Sequence, residues 1–122
     1  ALPSLWTGVL YDSTALAAAW DLCRDWPLES HERLRADVTR LGLKARIGSR
    51  TVQDVARDLV AIAAGGLRRR ARLDASGADE ARYLEPLAEI AESGLTRADR
   101  LLERFHGEWG GRIDPVWREP AF

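Results

Sequence analysis

The stretch that follows Thr51 repeats apolar side chains at the spacing of an α-helix, and this pattern constrains the fold more than any other feature. The stripe consists of Val52, Val55, Leu59, Ile62 and Ala63. Residues at this spacing share one helix face, so the pattern predicts a helix packed against a core. Thr51 and Asp54 stand at the two ends of a sequence that resembles a capping box, which predicts the helix N-terminus there.

Two consecutive glycines, Gly65 and Gly66, interrupt this helix before the basic stretch from Leu67 to Leu73. Each glycine inside a helix costs about 1 kcal/mol relative to alanine. The pair therefore predicts one of two things, a helix end or a close approach by another backbone.

Apolar residues at helical spacing also predict four further helices. They lie approximately at residues 13–26, 28–40, 83–94 and 97–106. Asp12 and Ser13 are good N-cap residues for the first of these. Thr96 and Asp99 again resemble a capping box at the start of the last. Pro86 predicts a kink or a restart in the third, because proline cannot continue a helical hydrogen-bond ladder.

The apolar run Leu5–Tyr11 is short, contains strand-favouring residues and is bounded by Pro3 and Asp12, so it is interpreted as a strand. Nothing later in the chain is an obvious pairing partner, and a lone strand is not stable. The expected fold is therefore mainly α, with about five helices and an N-terminal strand. We expect one helical unit over residues 1–122, with a strand segment (1–12), a helical array (13–106) and a strap rich in Trp, Gly and Pro (107–122).

Composition excludes several classes of protein. The 122 residues fit one domain, and 18 basic against 19 acidic residues give a net charge of −1. This balance argues against nucleic acid or an anionic membrane as the main partner. The single cysteine, Cys23, excludes an internal disulfide framework, and no Cys/His cluster has zinc spacing. No apolar run is long enough to span a membrane and no signal peptide is recognisable, so we expect no membrane association and a cytoplasmic location.

The densest charge cluster contains Arg68, Arg69, Arg70 and Arg72. It is either an anion clamp for phosphate or carboxylate, or a solvated helix end whose arginines pair with nearby acidic residues. Lys44, the only lysine, lies in a second basic segment and is a further candidate for anion binding. No nucleophile motif and no phosphate-binding glycine loop accompanies them, so the residues alone do not supply an enzyme.

The five tryptophans are many for so short a chain, and two of them, Trp109 and Trp117, lie near its end. Each tryptophan has on the order of 150–250 Å² of surface to bury. A strap packed across the helices or onto a neighbouring domain is favoured over an aromatic ligand pocket.

Taken together, the ordered motifs resemble the C-terminal third of glutamate–cysteine ligases of the plant and proteobacterial type. The motifs are Pro3-Ser4-Leu5-Trp6-Thr7-Gly8-Val9-Leu10-Tyr11-Asp12, Ala18-Ala19-Trp20-Asp21-Leu22, Leu41-Gly42-Leu43-Lys44, Gly66-Leu67-Arg68-Arg69-Arg70-Ala71-Arg72-Leu73 and His106-Gly107-Glu108-Trp109-Gly110-Gly111. The resemblance covers essentially the whole chain. The sequence departs from the family pattern at Ala45-Arg46-Ile47, at Arg97 and Asp99, and at Pro120-Ala121-Phe122, where the family usually ends in Tyr-Ala-Tyr.

The resemblance implies a piece of an α+β ligase fold similar to glutamine synthetase. It implies joining of the glutamate γ-carboxylate to the cysteine amine, with ATP and Mg²⁺ as cofactors, in the first step of glutathione synthesis. The metal ligands would lie in the N-terminal part of the ligase, so that part is the expected partner and the isolated chain is expected to be inactive. The alternative is a free-standing, non-catalytic helical binding module derived from this family.

Within that resemblance, Trp6 matches a position that is similar to part of the substrate pocket, and Tyr11 is a second candidate for substrate binding. The alternative for Trp6 is a core residue. Lys44, Arg69 and Arg70 are candidates for anion binding on the charge argument alone. The catalytic residues stay unassigned.

Overall fold

The computed structural model describes residues 1–118 and is mainly α-helical, as the sequence predicts. Six α-helices and one small hairpin make up this part of the chain. In order they are α1 (Leu2–Leu10), α2 (Ser13–Cys23), α3 (Leu28–Leu41), β1 (Arg46–Ile47), β2 (Arg50–Thr51), α4 (Val52–Arg70), α5 (Glu85–Ser93) and α6 (Arg97–His106). Short 3₁₀ turns occupy Gly42–Lys44, Glu80–Leu84 and Asp114–Arg118. No helix among residues 1–118 combines the length and the apolar character that crossing a membrane requires.

Helix α4 lies at the centre of the fold, and α1, α2 and α5 pack against it. Ala63 and Leu67 of α4 are completely buried. Leu5 and Val9 of α1 and Leu84 before α5 are buried in the same cluster. The predicted apolar stripe therefore does face a core. Only its C-terminal part is fully covered, since Val52, Val55, Leu59 and Ile62 stay partly exposed.

The predicted N-terminal strand is wrong, because residues Leu2–Leu10 form helix α1, with Pro3 in its first turn. Leu5, Gly8 and Val9 are its buried residues, and their spacing of three and four places them on one helix face. A helix of nine residues is marginal by itself, so packing against α4 rather than local propensity stabilises it. A helix needs no pairing strand, so the absence of an obvious partner in the sequence is explained.

Glycines allow α1 and α4 to approach closely. A Cβ atom placed on Gly66 would lie 1.9 Å from the carbonyl oxygen of Gly8, and one on Gly8 would lie 2.3 Å from the carbonyl oxygen of Ala63. Helix α4 continues through Gly65 and Gly66 to Arg70. Of the two readings of the glycine pair, the close backbone approach is thus confirmed, and Gly66 is the residue that provides it.

The predicted helix starts are confirmed where side chains define them. The Asp12 carboxylate accepts a hydrogen bond from the backbone N–H of Ala15 at 2.8 Å. Thr51 with Asp54 and Thr96 with Asp99 form complete capping boxes at α4 and α6. The pattern around Pro86 is a restart, since a 3₁₀ turn ends at Leu84 and α5 begins at Glu85.

The basic segment before α4 contains a hairpin that the sequence did not predict. Arg46 pairs with Thr51 and Ile47 with Arg50 in antiparallel register. The turn contains Gly48, whose φ of 59° lies in the left-handed region that glycine adopts without strain. The hairpin directs Ile47 into the protein, where it is buried.

The two tryptophans of the C-terminal segment differ in burial. Trp109 is buried, and the Arg104 guanidinium lies 4.5 Å from its ring centroid. Trp117 is 82% exposed. Residues 119–122, including the departure at Pro120-Ala121-Phe122, lie outside the described residues.

Candidate functional site

Tyr11, Arg69 and Arg70 come together where α1 and α4 end. The Arg69 guanidinium forks onto Asp12, with its Nε 3.2 and 3.1 Å from the two carboxylate oxygens and a terminal nitrogen 2.7 Å from Oδ1. The Arg70 Nε lies 3.3 Å from a carboxylate oxygen of Glu80, and its guanidinium lies 5.4 Å from the Tyr11 ring centroid. This cluster is called the arginine corner below.

Electrostatics in the arginine corner favour ionised groups. The Arg69 hydrogen bond, with the Ala15 backbone N–H, lowers the pKa of Asp12 from 3.8 to about 2. The same pair raises the pKa of Arg69. Most of the Arg69 fork is occupied by a carboxylate from its own chain, which ties the start of α2 to the end of α4. Arg70 makes one ion pair and keeps further donors.

Two further arginines of the predicted cluster point elsewhere. Arg68 and Arg72 are exposed and form no ion pair with any residue from 1 to 118. These contacts are those expected of a solvated helix end: two arginines pair with acidic side chains and two are exposed. Anion binding by the cluster stays a prediction.

Lys44 lies apart from the arginine corner. It ends a 3₁₀ turn beside the first turn of α4, where the Val52 N–H donates to the Ala45 carbonyl at 2.8 Å. The length of α4 separates that end from Arg69 by about 25 Å. The Lys44 charge instead acts on α6: it is a minor cause of the lowered pKa of Asp99, after the hydroxyl and backbone N–H of Thr96. One small anion therefore cannot contact all three predicted cations.

Trp6 of α1 lies outside the arginine corner and lines an open groove of about 380 Å³. The groove, called the apolar groove below, is formed by α1, α2, α3, β1 and α4. Leu22, Trp26, Leu34, Val55 and Leu59 are among its lining residues. Trp6 is 52% exposed, whereas Tyr11 is 75% exposed in the arginine corner. The structure does not place the two predicted substrate residues in one pocket.

Sequence reasoning missed a cleft of about 370 Å³ between α5 and α6. Arg97, Arg100 and Arg104 line it along one face of α6, beside Glu89 of α5. Arg100 donates to Glu89 at 2.8 Å, and Arg104 donates to Glu108 at 3.1 Å. The spacing of three and four residues was the available signal, since it places these arginines on one helix face.

The described residues do not fit a magnesium site. Between residues 1 and 118, no group of three or more His, Cys, Asp or Glu side chains could hold a metal ion. Residues 1–118 therefore do not form a complete Mg²⁺ site by themselves. His31 and His106 are exposed, and Cys23 is a free thiol at the edge of the apolar groove.

These features define a class of protein: a helical segment with an open apolar groove and without a metal centre in its described residues. The family model for glutamate-cysteine ligase family 2 (GCS2) matches residues 1–119. The chain belongs to this family, as the sequence motifs indicate.

Curated plant relatives extend this finding. The chain is 40% identical over 119 residues to "Glutamate--cysteine ligase, chloroplastic" of Nicotiana tabacum, and equally to that of Arabidopsis thaliana. It is 35% identical over 119 residues to "Glutamate--cysteine ligase A, chloroplastic" of Oryza sativa subsp. indica. The matches cover 98% of this chain but only 22–23% of each relative. The chain thus spans less than a quarter of the length of the curated relatives it matches.

The comparison also corrects one expectation. The sequence predicted a cytoplasmic location, but these relatives are named as chloroplastic enzymes. The cytoplasmic prediction is therefore wrong. Its reasoning relied on the lack of a recognisable targeting segment, which says nothing about a location that a different part of a longer protein specifies.

Proposed function

We propose that this chain is a C-terminal segment of an ATP-dependent glutamate–cysteine ligase, which joins the γ-carboxylate of glutamate to the amine of cysteine. The family match over residues 1–119 carries this proposal. The reaction forms γ-glutamylcysteine, the first step of glutathione biosynthesis. Because the chain spans 22% of its tobacco relative and its described residues hold no metal cluster, it works with the remaining ligase sequence and is inactive alone.

In this proposal the chain supplies a helical layer and one wall of the substrate site. Trp6 and Tyr11 contact substrate, and the cations Lys44, Arg69 and Arg70 attract its carboxylates. The geometry separates their roles. Arg70 has donors beyond its ion pair with Glu80 and can donate two of them to a substrate carboxylate in a fork. Arg69 contributes only its charge, because Asp12 already occupies its fork.

Two preparations test the ligase assignment. One is the isolated chain, and the other is the Nicotiana tabacum ligase with its matching segment replaced by this chain. With ATP, Mg²⁺, glutamate and cysteine, we expect γ-glutamylcysteine from the second preparation and none from the first. Product from the isolated chain would refute the need for further sequence. A folded replacement enzyme without activity would refute the ligase assignment itself.

Arg70→Lys in the replacement enzyme tests the substrate wall, because lysine keeps the charge and loses the fork. Arg72→Lys is the matched control, since Arg72 is exposed and forms no ion pair with residues 1–118. We expect a rise in KM for glutamate of about tenfold for Arg70→Lys, equivalent to about 1.4 kcal/mol, and no change for the control. Equal KM values for both variants would remove Arg70 from the site.

The alternative function is a free-standing, non-catalytic binding module of the same family. The exposed aromatic residues favour it, since Trp20 and Trp117 are 64% and 82% exposed and could contact a partner. The mass of the native protein separates the two proposals. A larger polypeptide or a tightly bound further chain supports the ligase segment, and a 122-residue protein supports the module.

A further inference from the structure

The apolar groove is open to solvent, although its composition is that of a protein interior. None of the eleven residues that line it is charged, and Trp6, Leu22, Trp26 and Leu59 are among them. None of these four side chains is fully buried. Contiguous apolar surface in contact with water is unfavourable, and patches of this kind mark contact sites.

The kind of contact follows from the missing charges. Transient interfaces have about the same fraction of apolar area as the rest of the protein surface. Permanent interfaces are more apolar and resemble a domain core cut in half. The groove belongs to the second kind. Four helices and the hairpin strand β1 contribute to it, so an occupant would complete a core that residues 1–118 leave unfinished.

We propose that the apolar groove is filled by an uncharged, apolar segment of the same ligase polypeptide outside these 122 residues. This inference rests on the proposed function. The chain spans 22% of its tobacco relative, so most of that polypeptide is available to supply the segment. A segment of the same chain is present at high effective concentration, which suits an interface without charges to attract a separate partner. Trp6 lines the groove, so this segment packs beside it and leaves only part of its surface for the substrate contact proposed above.

Photocrosslinking in the replacement enzyme identifies the occupant. Benzoylphenylalanine is placed at Trp26 in the groove or at Leu102, which is exposed on α6 outside the groove. We expect crosslinks from position 26 to the preceding ligase sequence within one polypeptide, and no such peptide from position 102. Crosslinks between two copies, to residues 119–122, or to no peptide would each overturn the proposal.

A charge in the groove gives a second test that needs no activity. Leu22→Asp is compared with Leu102→Asp in both preparations. If the groove is covered only in the whole ligase, Leu22→Asp lowers its melting temperature by about 3 °C or more, because a buried charge is costly. In the isolated chain the same change has a smaller effect, since Leu22 is only partly buried there. Equal effects in both preparations, or an equal effect of Leu102→Asp, would refute the proposal.

These readouts separate this inference from the ligase assignment. An inactive replacement enzyme that still crosslinks from position 26 within one polypeptide contradicts the catalytic proposal and supports the interface. An active enzyme without those crosslinks supports the catalytic proposal and contradicts the proposed interface.

Discussion

Replacing Gly66 by alanine tests the closest contact in the fold. The new Cβ would lie 1.9 Å from the carbonyl oxygen of Gly8 and 3.1 Å from the Cβ of Ala15. The first contact is with backbone, so no side-chain rotation relieves it, and α1 must move by more than about 1 Å. Overpacking of this kind costs about 1–3 kcal/mol, and the rigid contact places it at the upper end. Alanine returns about 1 kcal/mol in helix propensity.

We therefore expect Gly66→Ala to lower the free energy of unfolding by about 2 kcal/mol. Gly65→Ala is the matched control in the same helix. Its Cβ would meet only the flexible end of Arg69, with Nη1 at 3.2 Å. We expect this control to be neutral or more stable by up to about 1 kcal/mol.

Urea unfolding followed by circular dichroism measures both variants. A loss of 2 kcal/mol corresponds to a midpoint lower by about 1 M urea. The reasoning is refuted if Gly66→Ala unfolds at the same midpoint as the parent chain. It is also refuted if Gly65→Ala loses as much stability, because the cost would then come from α4 itself and not from its contact with α1.

Three further predictions concern local contacts. Asp12→Asn removes a carboxylate whose pKa falls from 3.8 to about 2 on folding. Its stabilisation is complete above about pH 5 and is lost as the pH falls through 3.8 and past 2, so the parent chain's advantage in urea midpoint must shrink over that range. A constant advantage would exclude the Arg69 pairing as its cause. Thr51→Ala removes a capping hydroxyl and should lower the free energy of unfolding by about 1 kcal/mol. Its control, Thr39→Ala, removes a hydroxyl that only bonds within α3 and should be neutral. Equal urea midpoints for the two variants would contradict this. Gln53→Met removes hydrogen bonds of 2.9 and 3.2 Å to carbonyls at the end of α5 and should cost about 1 kcal/mol in urea unfolding; an unchanged midpoint would show that water replaces them.

Only part of the candidate site could be predicted from the sequence. The arginine cluster could be recognised because its members are consecutive, but the partner of Arg69 is 57 residues away. No local pattern indicates such a pair. Lys44 and Arg69 looked equivalent by charge, and only the length of α4 between them shows that they cannot contact one small anion.

The sequence by itself determined the features that depend on near neighbours. The capping boxes at Thr51 and Thr96 and the restart at Pro86 involve residues only a few positions apart, so their geometry follows from local chemistry. The family motifs could likewise be recognised without a structure.

The tertiary structure decided the conformation of residues 2–10 and the shape of the surface. A short apolar run is compatible with a strand or a helix, and burial of Leu5, Gly8 and Val9 against α4 selects the helix. The meeting of Gly8 with Gly66 and the open apolar groove likewise depend on residues far apart in the chain. Contacts of this kind depend on which surfaces meet, and that is fixed only when the helices pack.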